Sequence, residues 1–132
     1  VEELKSILKK NKKKCITLPV SAPFHCSLMG PAAIKMKEKI NAVNFNKPNL
    51  EIVNNVTALS TSSPEDIKKL LVQQIYSKVR WKESILFMGE KKINDFIEIG
   101  PGKILSGLVK RILPSSNSFS INSIDDIKNL KQ

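Results

Sequence analysis

The sequence has no apolar run approaching the roughly 18 residues that cross a bilayer as a helix, so no membrane span is expected. It has one histidine, His25, and two cysteines, Cys15 and Cys26, without metal-ligand spacing. That scarcity argues against both a zinc site and a disulfide framework. Nothing at the N-terminus resembles a signal peptide, and a soluble protein of the reducing cytoplasm is expected. Acidic residues are outnumbered, 12 against 22 Lys and Arg, giving a formal charge of +10. Such an excess invites a nucleic-acid reading. Aromatics make up only 5%, however, and none interleaves with the densest basic cluster, Lys9, Lys10, Lys12, Lys13 and Lys14. Without stacking residues or a recognition motif, that cluster reads as a solvated helix end, and no nucleic-acid partner is expected.

What is present is enough for one core. A chain of 132 residues with 41% hydrophobic and 26% charged residues is globular in composition and too short for two comfortable domains. Val1, Leu4, Ile7 and Leu8 recur at helical spacing and predict an opening amphipathic helix. Cys15 to Val20 is β-branched and apolar and predicts a buried strand that delivers His25 to a loop. From Leu28, the positions Ala32, Ala33, Met36, Ile40 and Val43 predict a helix of about four turns with Pro31 in its first turn.

A turn cluster at Asn46-Lys47-Pro48-Asn49 precedes an expected strand, Leu50 to Val56, and a loop, Thr57 to Ser63. Ser63 caps a helix whose first position is Pro64 and whose apolar face is Ile67, Leu70, Leu71 and Ile75. A helix from Trp81, a strand from Phe96 to Ile99, the breaker Gly100-Pro101-Gly102 and a helix from Ile104 to Ile112 follow. Beyond Pro114 a serine-rich linker and a peripheral helix capped by Ser123 are expected. Strands alternating with helices predict an α/β fold with a mainly parallel, incomplete sheet.

Ser21-Ala22-Pro23-Phe24-His25-Cys26-Ser27-Leu28-Met29, followed by Pro31-Ala32, resembles the stretch around the active histidine of bacterial malonyl-CoA:acyl carrier protein transacylases. Three further segments resemble the same family in the same order. They are Val53-Asn54-Asn55-Val56, then Leu71 to Tyr76 with Val79-Arg80-Trp81, then Glu98-Ile99-Gly100-Pro101-Gly102-Lys103 running on to Ile112. Ser77-Lys78 departs from the residue and proline that many members place before Val-Arg-Trp.

The resemblance implies the C-terminal part of an α/β-hydrolase-like acyltransferase domain. Residues 1–20 would end an inserted ferredoxin-like small subdomain with its last helix and strand, 21–113 would belong to the catalytic domain, and 114–132 would form a tail. It implies malonyl transfer from malonyl-CoA to the phosphopantetheine thiol of acyl carrier protein, by a serine-histidine ping-pong mechanism in fatty acid biosynthesis. His25 would be the general base and acid, and the backbone carbonyl of Gln74 would orient it. Phe24 would favour malonyl by filling the space of an extra methyl, although a core phenylalanine is the plainer role. No permanently bound cofactor and a monomeric complete enzyme are implied. Some lysines would meet coenzyme A phosphates or the acidic carrier protein.

The five glycines include no Gly-x-Ser-x-Gly. The family's nucleophile, substrate-carboxylate arginine and oxyanion-hole glutamine would therefore lie upstream, and the chain is expected to be inert alone. Cys26 is expected to pack, because consecutive extended residues point apart, and Gly100-Pro101-Gly102-Lys103 lacks the spacing of a phosphate loop. Two alternatives carry different signatures: an acyltransferase of polyketide synthesis would differ in extender unit, and a non-enzymatic basic binding module would bind with steep salt dependence.

Overall fold

The computed structural model describes residues 2–17 and 20–130. Helix α1 (Glu2–Lys10) opens the chain, with Glu2 and Glu3 in its first turn and Lys9 and Lys10 in its last, matching the helix dipole. Val1, placed on its apolar face by the sequence, lies outside the described residues. The expected strand over 15–20 does not form in its described part: Cys15, Ile16 and Thr17 are irregular and exposed, while Leu18 and Pro19 lie outside the described residues. Strand structure needs a partner for its backbone groups, and the described strands pair only with one another.

A short 3₁₀ turn (Ser27–Met29) leads into α2 (Gly30–Ala42), which packs against α3 (Pro64–Gln74) with Ala33 buried between them. Ser63 caps α3, its hydroxyl accepting from the Asp66 amide at 3.2 Å, and Glu65 and Asp66 sit at the positive end of the helix. Between the two helices the expected strand Leu50 to Val56 contracts to β1 (Ile52–Val53). The cause is Asn54, whose carboxamide oxygen accepts from the Val56 amide at 3.2 Å, the Thr57 amide at 3.0 Å and the Thr57 hydroxyl at 3.1 Å. This side chain turns the backbone instead of extending it. The chain returns as β2 (Ser60–Thr61), antiparallel to β1, where a plain loop was expected.

Helix α4 (Trp81–Glu90), strand β3 (Asp95–Ile99) and helix α5 (Ile104–Ile112) follow as read from the sequence. The next element does not: the expected linker holds β4 (Asn117–Ile121), which pairs in parallel with β3 from Asp95 opposite Asn117 to Ile99 opposite Ile121. Helix α5 is the crossover, and α6 (Ile124–Leu130) closes the described chain. The sheet is thus one parallel and one antiparallel pair, and only part of the expected mainly parallel arrangement is present.

The fully buried centre of the second half is Ile85 of α4, 0% exposed, with Val109 of α5 and the serines Ser84 and Ser116 also buried. The β3–β4 pair turns Phe96, Glu98, Ser118 and Ser120 inward and leaves Ile97, Ile99 and Phe119 on exposed positions. No helix among the described residues is long and apolar enough to cross a membrane.

Ile85 supports the second half by packing alone. Truncation to Ala is expected to destabilise the chain by about 2–5 kcal/mol, the cost of lost transfer energy plus a cavity, measured as the shift in urea midpoint.

Candidate active site

His25 stands in a turn closed by three short contacts. The Phe24 amide donates to the Ala22 carbonyl at 2.9 Å, the Cys26 thiol donates to the Pro23 carbonyl at 3.1 Å, and the Met29 amide donates to the Cys26 carbonyl at 3.0 Å. Within it His25 adopts φ 58°, the left-handed region. A non-glycine residue there costs on the order of 1–3 kcal/mol, which the surrounding bonds must offset. The turn holds the imidazole out from α2, exposed to solvent.

The ring meets the end of α3. Its Nδ1 lies 2.8 Å from the main-chain oxygen of Gln74, the last residue of that helix. The last carbonyls of a helix lack intrahelical partners. Here the Tyr76 and Ser77 amides both turn to the Gln73 carbonyl, and among the described residues no backbone N–H reaches that of Gln74. A carbonyl can only accept, so Nδ1 must carry the proton and Nε2 presents its lone pair outward. The Gln74 carboxamide nitrogen is 3.4 Å from the same Nδ1, but it is a donor facing a donor, and its proton goes to the Ser77 carbonyl at 3.3 Å.

Two of the three residues singled out by the sequence are therefore brought together across 49 positions. The third, Phe24, shares the histidine turn and is 58% exposed in this chain. Cys26 does more than pack, since its thiol helps close the turn, although S–H donors are weak. A cleft of about 680 Å³ runs between α2 and α3 beside this turn, walled by Ala33, Ile34, Val72 and Tyr76 and edged by Lys37 and Lys68. His25 and Phe24 are not part of its wall.

The Gly100-Pro101-Gly102-Lys103 segment is a strand-to-helix turn, with positive φ at both glycines. The first amides of α5 are already taken: Glu98 accepts from the Leu105 amide at 3.1 Å, the Ser106 amide at 2.8 Å and the Ser106 hydroxyl at 2.7 Å. These bonds, the Ser106 amide foremost, hold the Glu98 carboxyl below its ordinary range. The sequence named this segment without assigning Glu98 a role. It also passed over Arg80, whose signal was the Val-Arg-Trp motif itself.

No family model matches the chain. Among curated proteins, the malonyl CoA-acyl carrier protein transacylase of Bacillus subtilis is 40% identical over 129 residues, 97% of this chain and 41% of that protein. That of Escherichia coli K12 is 38% identical over 110 residues, 83% of this chain and 36% of that protein. Among solved structures, an acyl carrier protein S-malonyltransferase from Vibrio cholerae superposes with a TM-score of 0.86 at 36% identity, covering 97% of this chain and 42% of that one. Malonyl CoA-acyl carrier protein transacylases thus match 83–97% of this chain. A further neighbour in this family, at TM-score 0.84 and 36% identity over 97% of this chain and 42% of its own, is a malonyl-transacylase in complex with its type II PKS acyl-carrier protein. The chain spans about two fifths of the transacylases it matches, and what it shares with them is an α/β acyltransferase-domain fold.

Two outcomes follow for this segment. At neutral pH, ¹⁵N NMR of His25 should report the Nδ1–H tautomer, and Gln74→Ala should leave it in place because the accepting carbonyl survives. Glu98 has a lowered pKa in the fold, so its stabilising effect is present above the ordinary carboxylate range and is lost as pH falls below about 4. Thermal melts should accordingly show Glu98→Gln less stable than the parent near neutrality, with the gap closing in acid.

Proposed function

We propose that this chain supplies the histidine of a serine-histidine transacylase that moves malonyl from malonyl-CoA to the phosphopantetheine thiol of acyl carrier protein in fatty acid biosynthesis. The observation that carries the reading is the 2.8 Å contact from His25 Nδ1 to the Gln74 carbonyl. It fixes the tautomer whose Nε2 can accept a proton, the task that an aspartate performs in other triads. On this reading residues 1–20 end the inserted small subdomain and 21–113 belong to the catalytic domain. The serine, the carboxylate-binding arginine and the oxyanion glutamine come from outside these 132 residues.

The chemistry is two balanced transfers. In the first, Nε2 of His25 takes the serine proton as the serine oxygen bonds to the malonyl thioester carbon. The carbon–sulfur bond breaks, and the imidazolium returns the proton to the coenzyme A thiolate. In the second, Nε2 takes the proton of the phosphopantetheine thiol, sulfur attacks the acyl-serine, the carbon–oxygen bond breaks and the serine is reprotonated. No electron changes hands and no resident cofactor is required. General acid-base work of this kind contributes about 10²–10⁴-fold. Phe24, exposed beside the base, would meet the acyl chain and disfavour a 2-methyl branch.

The test is a chimera in which this chain replaces the matching stretch of the Bacillus subtilis relative, assayed for malonyl transfer to carrier protein. Activity is expected, and His25→Ala should lower kcat by about 10²–10⁴-fold; a fully active His25→Ala chimera would sink the assignment. Phe24→Ala should raise kcat/KM for methylmalonyl relative to malonyl by about 10–200-fold, the worth of one methyl, whereas an unchanged ratio removes Phe24 from acyl selection. The solved complex with a polyketide carrier protein keeps a second pathway in view. Preference of the chimera for a type II polyketide carrier over a fatty acid carrier would select it.

A further inference from the structure

The bond that orients His25 depends on a free carbonyl at Gln74, and that carbonyl is free because α3 stops. Continuing the helix would bring the Lys78 amide onto it, four residues on. Instead the chain leaves the helix through Ser77, Lys78 and Val79 and is caught at Arg80. The Arg80 amide donates to the Asn55 carbonyl at 3.0 Å, and its guanidinium Nη1 donates to the Thr57 carbonyl at 3.0 Å. Both acceptors sit on the turn built by Asn54, which is stiffened by the Asn54 contacts and by the Ala58 amide donating to the Asn54 carbonyl at 3.0 Å. Arg80 is also where α4 begins, its carbonyl accepting from the Ser84 amide at 3.0 Å and the Ser84 hydroxyl at 2.9 Å. Glu83 holds the guanidinium from the solvent side at 3.3 Å.

We propose that Arg80 is a positioning residue for His25, clamping the exit of α3 to the Asn54–Ala58 turn so that the Gln74 carbonyl stays available to the imidazole. The proposal rests on His25 acting as the base, and it deepens that reading by naming what holds the base in its working tautomer. A half-buried guanidinium that satisfied the Thr57 carbonyl for stability alone would leave the tautomer indifferent to its loss.

The experiment measures the His25 tautomer by ¹⁵N NMR in the 132-residue chain, with far-UV circular dichroism to follow the helices, for Arg80→Met and Arg80→Lys. Arg80→Met keeps the stem and the main-chain bond to Asn55 and removes the guanidinium donor to Thr57. Loss of the Nδ1–H tautomer to a mixture in that variant, with the dichroism unchanged and the tautomer restored in Arg80→Lys, is the expected result. An unchanged tautomer in folded Arg80→Met overturns the proposal. If Arg80→Met fails to fold, Glu83→Gln decides: loosening the guanidinium should shift the tautomer in the same direction by less, and no shift overturns the proposal. In the chimera, Arg80→Met should lower kcat on the order of ten- to a hundredfold with KM for malonyl-CoA little changed, as for a misplaced catalytic group. Activity that survives His25→Ala would instead defeat the base assignment, leaving the tautomer result to stand by itself.

Discussion

A single hydrogen bond, from the imidazole of His25 to the main-chain oxygen at the end of α3, ties the histidine turn to a helix end 49 positions along the chain. Its two ends are prepared separately. On one side a tight turn lifts the ring off the start of α2; on the other, a helix capped by Ser63 and ended before Ser77 delivers an unsatisfied carbonyl. The α2–α3 contact, with Ala33 of α2 buried, sets the distance between them. Geometry at the ring is therefore only as good as the packing of two helices and the termination of one.

The second half of the chain adds side-chain hydrogen bonds to its packing. Around β3, α5 and β4 the half-buried interface includes Glu98, Ser106 and Ser120, with the Ser106 hydroxyl also 2.9 Å from that of Ser120. Ile97, Ile99 and Phe119 stand on exposed positions of the same pair. Parallel strands are ordinarily covered on both faces by apolar residues. Glu98 and Ser106 tie the crossover helix to the pair by hydrogen bonds, Ile85 and Val109 provide buried apolar packing, and Ile97, Ile99 and Phe119 are free for cover from outside this chain.

Helices were legible because their signals are local. Ser63 followed by Pro64 marks one start, Gly100-Pro101-Gly102 announces another, and the Ile104 to Ile112 limits agree with the structure. Strands were legible only where β-branched residues cluster, as in Phe96 to Ile99. The segment Asn117-Ser118-Phe119-Ser120-Ile121 looks like a polar tail until β3 supplies its partner, and Ser60-Thr61 likewise becomes strand only by pairing. Among site residues, His25 and Gln74 came from a resemblance, not from periodicity. Arg80 stood in the Val-Arg-Trp motif, but its contacts stayed hidden because its partners are backbone carbonyls of a turn, which no residue type advertises.

The left-handed backbone at His25 sets fold and chemistry against each other at one position. Glycine adopts that conformation without steric cost, so the residue most comfortable there is one that cannot accept a proton. Glycine in place of the imidazole would relieve strain on the order of 1 kcal/mol and would give up the bond to the Gln74 carbonyl with it. On the proposed reading, a histidine at φ 58° gives up ease of folding for an imidazole at this place.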